Sequence, residues 1–296
     1  MTEISMTAKI CLFARAYHHD HSRVPVFSDP IASQLLSAEE RSEIARSMQQ
    51  GVQYFFPDFT GTPAQALDRI VRGRLSPSPL GRAAFAEDAL RTAVTIGTRQ
   101  YLILGAGYDT FALRQPDWAR NLTIIELDRP QMQRDKLDRI ARAGLSLPDN
   151  VTLLPTDLSN PAWAQQLRAC PSFNPKAKTL CSLLGLIYYL TEEEFSALLA
   201  SLSELLPPGS ALAFDYPAPQ GDGAQSQLAA GAGEPMKAVY PYDRMERLLA
   251  DHGFRIYEHL DDTGLEKRFF ERHNLLEHRY PIHPLPGVCC CLAVHR

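Results

Sequence analysis

The sequence lacks an excess of basic residues and a long apolar run, and each absence excludes a class of function. Its 296 residues include 30 Lys and Arg against 34 Asp and Glu, a formal charge of -4 at pH 7. Nucleic-acid-binding proteins need a basic surface to meet the phosphates, so we expect no nucleic-acid partner. The longest nearly apolar run, residues 181–190, is about half of the ~20 residues that a membrane-spanning helix needs, so we expect no membrane partner either.

The sequence also lacks a signal-peptide core and a disulfide framework. Its N-terminus carries an acid, Glu3, and only a short apolar patch, which is too little for a signal peptide. The six cysteines are scattered or adjacent, which indicates reduced thiols. With 45% apolar and 22% charged residues, the chain can bury a large core. We therefore expect a soluble cytoplasmic protein.

Two common catalytic motifs are missing, and the best metal-like cluster is unconvincing. The chain has neither a G-x-x-x-x-G-K-[ST] phosphate loop nor a G-x-S-x-G nucleophile elbow. His18, His19 and His21 flank Asp20, but adjacent ligands in a flexible stretch rarely converge on one tetrahedral zinc. We interpret this stretch as a polar N-terminal loop near the substrate and predict no metal site.

Short apolar strands alternate with amphipathic helical stretches, which is typical of a parallel sheet covered on both faces. Five strands are followed, after a glycine-rich stretch, by two more that would form an antiparallel hairpin. We predict an α/β fold with a Rossmann-like, mostly parallel sheet in a single domain, residues 1–296. The predicted strands are residues 100–105, 122–127, 151–154, 178–184, 210–215, 254–260 and 288–294, and the main helices are 130–143, 191–206 and 243–252.

Two compositional breaks indicate excursions from this domain. Residues 51–81 are rich in proline yet contain the aromatic cluster Tyr54, Phe55, Phe56 and Phe59, which a fully solvated loop would not retain. We predict that they belong to an N-terminal helical cap or lid formed by residues 1–81. Residues 217–241 contain glycines too often for a long helix, so we predict a mobile insertion that lies over the substrate.

A glycine turn follows the first predicted strand, where a helix should begin. Gly105 and Gly107, with Ala106 between them and Asp109 after them, would let a nucleotide-like ligand approach the backbone closely. A tight turn that binds nothing is an equally open interpretation, because short glycine motifs often match by chance. Thr110 replaces the third glycine of the dinucleotide motif, so a pyrophosphate site and a nicotinamide oxidoreductase are disfavoured.

Acidic residues at predicted strand ends favour an adenosine ligand. Asp128 stands twenty-one residues after Gly107, where a carboxylate can accept hydrogen bonds from a ribose diol. Glu126 lies on the same strand face and could share this contact or be a surface carboxylate. Asp157, after the next strand, could contact an adenine amino group. Adenosine without a second phosphate-bearing half points to S-adenosylmethionine.

The residues that carry these features resemble a known family. RQYLILGAGYDTFALR (residues 99–114) and IELDRP (125–130) resemble the leucine carboxyl methyltransferases among the class I S-adenosylmethionine enzymes, and within them the bacterial tetracenomycin-type polyketide O-methyltransferases. The resemblance covers nearly the whole chain. It also includes residues 14–16, 27–30, 155–158, 187–191, 233–236 and 248–254.

The resemblance implies roles for individual residues. Arg82 would hold the donor's carboxylate, Arg15 would have a similar task, and Tyr189 would lie near the reacting methyl group or be a core aromatic residue. Further implied donor contacts are the turn residues Gly105, Ala106, Gly107 and Asp109, the ribose ligand Asp128, and Asp157 with Leu158 at the adenine.

Two departures from the family pattern affect this site. Leu184 stands where the family commonly has a glutamate at the end of the fourth strand, so the donor contact of that acid must be lost or supplied elsewhere. Phe111 stands where an arginine is often found, which predicts an apolar ring near the donor or substrate pocket.

The implied activity is an S-adenosylmethionine-dependent O-methyltransferase of secondary metabolism, acting on a small-molecule carboxylate such as a polyketide-type acid. A carboxylate is already ionised at neutral pH and needs no general base. A phenol or an alcohol would need one, with His18, His19 or His21 as candidates and His19 as our choice. A methyltransferase-shaped binding protein without turnover also stays open, as does a homodimer.

Overall fold

The computed structural model describes residues 4–221, 223–231 and 233–296. A seven-stranded sheet in the order β3-β2-β1-β4-β5-β7-β6 organises the chain. The first five strands pair in parallel, and β7 runs antiparallel to both β5 and β6. The predicted α/β class, Rossmann-like sheet and C-terminal antiparallel pair are confirmed. The strands are β1 (Gln100–Leu104), β2 (Thr123–Asp128), β3 (Val151–Pro155), β4 (Thr179–Leu183), β5 (Ala211–Pro217), β6 (Phe254–Leu260) and β7 (Val288–His295).

Helices cover both faces of this sheet, and the first five lie within residues 1–81, the segment predicted as a cap. They are α1 (Met6–His21), α2 (Ala32–Leu35), α3 (Ala38–Gln50), α4 (Val52–Phe55), α5 (Pro63–Ile70), α6 (Pro77–Thr95), α7 (Pro130–Arg142), α8 (Trp163–Ala169), α9 (Glu192–Leu205), α10 (Ala224–Gly231), α11 (Tyr242–Asp251), α12 (Asp262–Leu265) and α13 (Glu271–Leu276). Thr191 and Glu194 form the expected capping box of α9. In the described part of the chain, no helix is long and apolar enough to cross a membrane.

The core consists of two apolar layers on the sheet and a third layer in the cap. Every residue of β1, β4 and β5 is buried, as expected for central strands covered on both sides. One layer packs these strands against α8, α9 and α11, and the other packs them against α6. The helices α1 to α5 pack around Leu12, Phe13 and Ile70 and reach Tyr108 and Met132 beside the sheet.

The strand order reverses beside β1, which has β2 on one side and β4 on the other. In open parallel sheets, ligands bind outside the carboxyl ends of the strands at such a reversal. The glycine turn, Asp128 and the turn after β4 all lie at this edge. The fold therefore brings together the segments that the sequence indicated separately.

Candidate active site

The turn after β1 has the backbone that its glycines allow. Gly105 and Gly107 have φ of 66° and 49°, in the left-handed region that disfavours side chains. A Cβ on Gly105 would lie 3.2 Å from Leu186, and one on Gly107 would lie 3.6 Å from Ala8 of α1. The turn continues into a short 3₁₀ turn, Phe111–Leu113, and not into the α-helix expected there. The glycine turn therefore does not present the N-terminus of an α-helix to the cavity.

A cavity of about 640 Å³ opens at this edge of the sheet, and we call it the strand-end cavity. Its volume lies within the range of about 300–1,000 Å³ that is usual for small-molecule sites. Its walls include the ends of β1 and β2, the turns after β3 and β4, α1, and the start of α6. Ten of the predicted site residues line it: Arg15, Arg82, Gly105, Ala106, Gly107, Asp109, Asp128, Asp157, Leu158 and Tyr189.

Asp128 ends β2 and ties it to the glycine turn. Its Oδ2 accepts a hydrogen bond from the Gly107 amide at 2.6 Å, and its Oδ1 accepts one from the Arg129 amide at 2.7 Å. These bonds use two of the four lone pairs of the carboxylate, so it can still accept bonds from a diol. Burial raises the pKa of Asp128, although both amides act in the opposite direction.

Asp157 and Leu158 continue the cavity wall after β3. The Oδ1 atom of Asp157 accepts hydrogen bonds from the Ser159 amide at 3.0 Å and the Ser159 hydroxyl at 2.7 Å. This local turn fixes the carboxylate and leaves its second oxygen for a ligand.

Glu126 corrects one expectation from the sequence. It is fully buried and is absent from the cavity wall, because it lies deeper along β2 and faces α7. There its Oε2 accepts a hydrogen bond from the Lys136 ammonium at 2.5 Å, within a buried ion pair. The alternation of side chains along β2 predicted which face of the sheet Glu126 shares with Asp128, but not how far Glu126 lies from the carboxyl edge of the sheet.

Arg82 projects from α6 into the cavity wall and is held by a carboxylate that sequence reasoning missed. Its Nη1 donates to Asp215 Oδ2 at 3.3 Å, and its Nη2 donates to Cys11 Sγ at 3.3 Å. The Arg82 side chain is 15% exposed, whereas Asp215, on β5, is not exposed at all. Burial alone would lower the pKa of Arg82, but Asp215 raises it above its ordinary value.

The turn after β4 leaves room for this guanidinium. Gly185 has a φ of 65°, and a Cβ there would lie 2.5 Å from Arg82 Nη1. Leu184 lines the cavity and offers no acceptor, as expected. The Gly185 amide instead donates to Asp215 Oδ1 at 2.6 Å, so a carboxylate from the neighbouring strand reaches this turn.

Arg15 is the last residue of α1 that lines the cavity, among the described residues. Its Nε donates to Asp29 at 2.9 Å, and its Nη2 donates to the Tyr108 carbonyl at 2.7 Å. Burial alone would raise the pKa of Asp29, but Arg15 and Arg114 hold it below the ordinary value. Arg114 also lines the cavity.

Phe111 does not line the cavity, which corrects a second expectation. The ring is fully buried and packs edge-to-face against Tyr101 on β1. The 3₁₀ turn directs it into the core, while Arg114, three residues later, reaches the cavity wall.

Two segments cover the cavity opposite the sheet edge. One is α1, and the other is residues 234–237, which we call the strap. Glu234 accepts hydrogen bonds from the Met6 amide at 2.9 Å, the Ser5 hydroxyl at 3.0 Å, and the Thr7 hydroxyl. An acid at the first turn of a helix is favourable, because the amides there are unpaired and the helix dipole is positive. The strap continues with Lys237, whose amide donates to the Tyr188 carbonyl at 2.8 Å.

His19 lies outside the cavity, which corrects its assignment as a general base. The helix α1 extends through His21, so the expected polar loop is its last turn. There His19 Nδ1 lies 3.1 Å from the Ser28 hydroxyl, and buried His18 accepts a hydrogen bond from the Val26 amide at 2.9 Å. Burial lowers the pKa of His18 to about 3. None of the described residues that line the cavity is a histidine.

Tyr189 is the second predicted catalytic residue, and it does line the cavity. It ends the 3₁₀ turn Ile187–Tyr189 after β4. Burial raises its pKa to about 12, so the phenol is protonated at neutral pH.

The aromatic cluster of the cap lies elsewhere. Phe55, Phe56 and Phe59 line a broader depression between α5 and Tyr280, and the Arg69 guanidinium stacks 4.7 Å from the centre of the Phe56 ring. From residues 51–81, the strand-end cavity receives Arg74, Leu75, Ser78 and Pro79 instead. Across residues 4–221, 223–231 and 233–296, no three His, Cys, Asp or Glu side chains form a group that could hold a metal ion.

Comparisons with known proteins show which family this chain resembles. Residues 8–203 match the family model of the leucine carboxyl methyltransferases. The chain is 34% identical over 281 residues to the "Putative S-adenosyl-L-methionine-dependent methyltransferase YktD" of Bacillus subtilis, covering 90% of this chain and 92% of that protein. It is 30% identical over 248 residues to a "Putative S-adenosyl-L-methionine-dependent methyltransferase" of a Mycobacterium species (strain JLS), covering 80% and 73%.

Solved structures show the same fold. A putative methyltransferase from Thermobifida fusca superposes with a TM-score of 0.57 at 19% identity, covering 86% of this chain and 94% of that one. A DUF574 family protein from Streptomyces avermitilis also gives 0.57 at 14% identity, covering 100% and 99%. The chain therefore belongs to the leucine carboxyl methyltransferase family and is an S-adenosylmethionine-dependent methyltransferase.

Proposed function

We propose that this methyltransferase acts on an oxygen of a small organic acid, and that the product is a methyl ester. The observation that carries the proposal is that the histidines predicted as general bases, His18, His19 and His21, are not among the described residues of the cavity wall, while burial raises the pKa of the Tyr189 phenol to about 12. A carboxylate acceptor, with a pKa near ~4, is ionised at neutral pH and needs no base. A polyketide-type acid from secondary metabolism fits this class.

The donor is assigned to the strand-end cavity in the orientation that its charges favour. Asp128 receives the ribose diol, Asp157 and Leu158 receive the adenine, and the guanidinium of Arg82 receives the carboxylate of the methionine half. Arg15 adds positive charge nearby. A guanidinium suits this task because it is always charged and donates in a fixed, forked geometry.

The bound donor supplies an electrophilic methyl group on a sulfonium. An acceptor carboxylate oxygen forms the new C–O bond as the C–S bond breaks and its electron pair stays on sulfur. The products are a methyl ester and S-adenosylhomocysteine, and no proton has to move. The protein's task is to align the reacting atoms and to exclude water, which α1 and the strap do from above. Tyr189 donates a hydrogen bond to the acceptor, since its hydroxyl is protonated.

We also place the protein in the cytoplasm. Its six cysteines are all free thiols in the structure, and five of them are buried. Reduced thiols are usual in that compartment.

The test uses purified protein, S-adenosylmethionine with a labelled methyl group, and pairs of acceptors that share one skeleton. One member of each pair carries a carboxyl group and the other carries a phenol or an alcohol. We expect label in the acids only, in a form that mild alkali releases as volatile methanol, because esters hydrolyse and ethers do not. Alkali-stable label in the phenols or alcohols would overturn the carboxylate proposal. Donor binding without turnover across the whole panel would favour a binding protein.

A further inference from the structure

A buried carboxylate beneath the cavity wall connects three of its elements. Asp215 is not exposed and accepts from Arg82 Nη1 at 3.3 Å, from the Gly185 amide at 2.6 Å and from the Tyr188 hydroxyl at 2.9 Å. Its three partners come from α6, from the turn after β4, and from the 3₁₀ turn that follows. All three partners line the cavity, whereas Asp215 does not.

We propose that Asp215 is a positioning residue for the methyl donor and that it acts by fixing the Arg82 guanidinium towards the donor's carboxylate. The inference rests on the proposed assignment of Arg82 to that carboxylate. A long arginine side chain has many rotamers, and a site that selects one of them before the ligand arrives binds more tightly. Asp215 and Cys11 hold two different nitrogens of the guanidinium, and Gly185 leaves the space in which it lies.

The negative charge of Asp215 also has an effect on donor binding that opposes its positioning of Arg82, and the experiment must separate the two. Asp215 repels a donor carboxylate while it orients the guanidinium that attracts it. If repulsion were the larger effect, removing the charge would tighten donor binding. The contact of Asp215 with the Gly185 amide and the Tyr188 hydroxyl means that its loss also frees the wall on which Arg82 rests, so we expect weaker binding.

The test compares two ligands that differ only in the carboxylate. Calorimetry measures the affinity of S-adenosylmethionine and of decarboxylated S-adenosylmethionine for the wild type, Asp215→Asn, Arg82→Ala and the double variant. We expect Asp215→Asn to weaken S-adenosylmethionine about tenfold and Arg82→Ala at least as much, with the double variant no weaker than Arg82→Ala alone. The decarboxylated ligand should lose less than about twofold in each variant.

A matched control separates positioning from general destabilisation. Glu40 pairs through both oxygens with Arg139, another buried guanidinium, but neither residue lines the cavity. Glu40→Gln should lower the thermal midpoint and leave both ligand affinities unchanged.

Each other outcome has one meaning. Equal weakening of both ligands by Asp215→Asn would make Asp215 a structural residue only and overturn the inference, as would tighter binding or effects that add in the double variant. Unchanged affinity in Asp215→Asn with strong loss in Arg82→Ala would overturn the inference and leave the donor assignment intact. Unchanged S-adenosylmethionine affinity in Arg82→Ala would instead overturn the proposed donor assignment.

Discussion

Asp128 and Glu126 lie two residues apart on β2, and their conservative variants form a matched pair. Asp128→Asn keeps the volume of a side chain that lines the cavity, but it removes the charge and one acceptor oxygen. The new amide group also faces the Gly107 or the Arg129 amide, which are both donors. A hydrogen bond to a charged group contributes about 1.5–3 kcal/mol, so we expect a loss of about 3 kcal/mol in donor binding, or about a hundredfold.

Glu126→Gln should instead lower the stability of the protein and leave donor binding nearly unchanged. It leaves Lys136 buried without its counter-charge, which typically costs about 3–5 kcal/mol in the free energy of unfolding. Because Glu126 lies outside the cavity wall, the donor affinity should change by less than about twofold.

Calorimetric titration with S-adenosylmethionine and S-adenosylhomocysteine measures the two affinities, and urea unfolding of the same preparations measures the two stabilities. The reasoning would be refuted if Glu126→Gln weakened donor binding as strongly as Asp128→Asn. It would also be refuted if Asp128→Asn left donor binding unchanged.

Three further predictions concern the strap, the stability of the protein at low pH, and the turn after β4. Glu234→Gln removes a charged acceptor from the first turn of α1 and should speed donor dissociation about tenfold in stopped-flow measurements; an unchanged rate would contradict a role of the strap in closure. His18, with a folded pKa of about 3, binds its proton in the unfolded state first, so stability should fall from pH 6.5 downwards, by about 2 kcal/mol at pH 5. This dependence should flatten in His18→Gln. Gly185→Ala should displace Arg82 and weaken donor binding at least tenfold by calorimetry, and normal affinity would show that the guanidinium has room to move.

The sheet and the edge at which the strand-end cavity opens could be predicted because they depend on local patterns. The apolar strands, the capping box of Thr191, and the spacing from Gly107 to Asp128 all have local physical causes, and the structure has each of them as expected. Strand ends differed by one or two residues, as with the fifth strand, which runs to Pro217.

The errors concern distances that the sequence does not contain. Glu126 was on the correct face of β2 but too far from its edge. His19 was expected on a loop, and α1 continues past it because the helix packs its other face into the cap.

The role of Asp215 could not be predicted from the sequence, because a single acid within the apolar stretch Ala211–Pro217 does not indicate which side chains it contacts. Its partners come from segments 27 to 133 residues away in sequence. The position of α1 over Gly107 depends in the same way on tertiary packing. Ala8 of α1 lies near Gly107, and the Met6 amide donates to Glu234, which is 228 residues away in sequence.

A crystal structure with S-adenosylhomocysteine bound tests the donor site most directly. We predict density in the strand-end cavity, with the ribose hydroxyls within hydrogen-bond distance of Asp128 and the carboxylate on the Arg82 guanidinium. A ligand bound elsewhere, or one in this cavity with its carboxylate turned away from Arg82, would contradict the assignment.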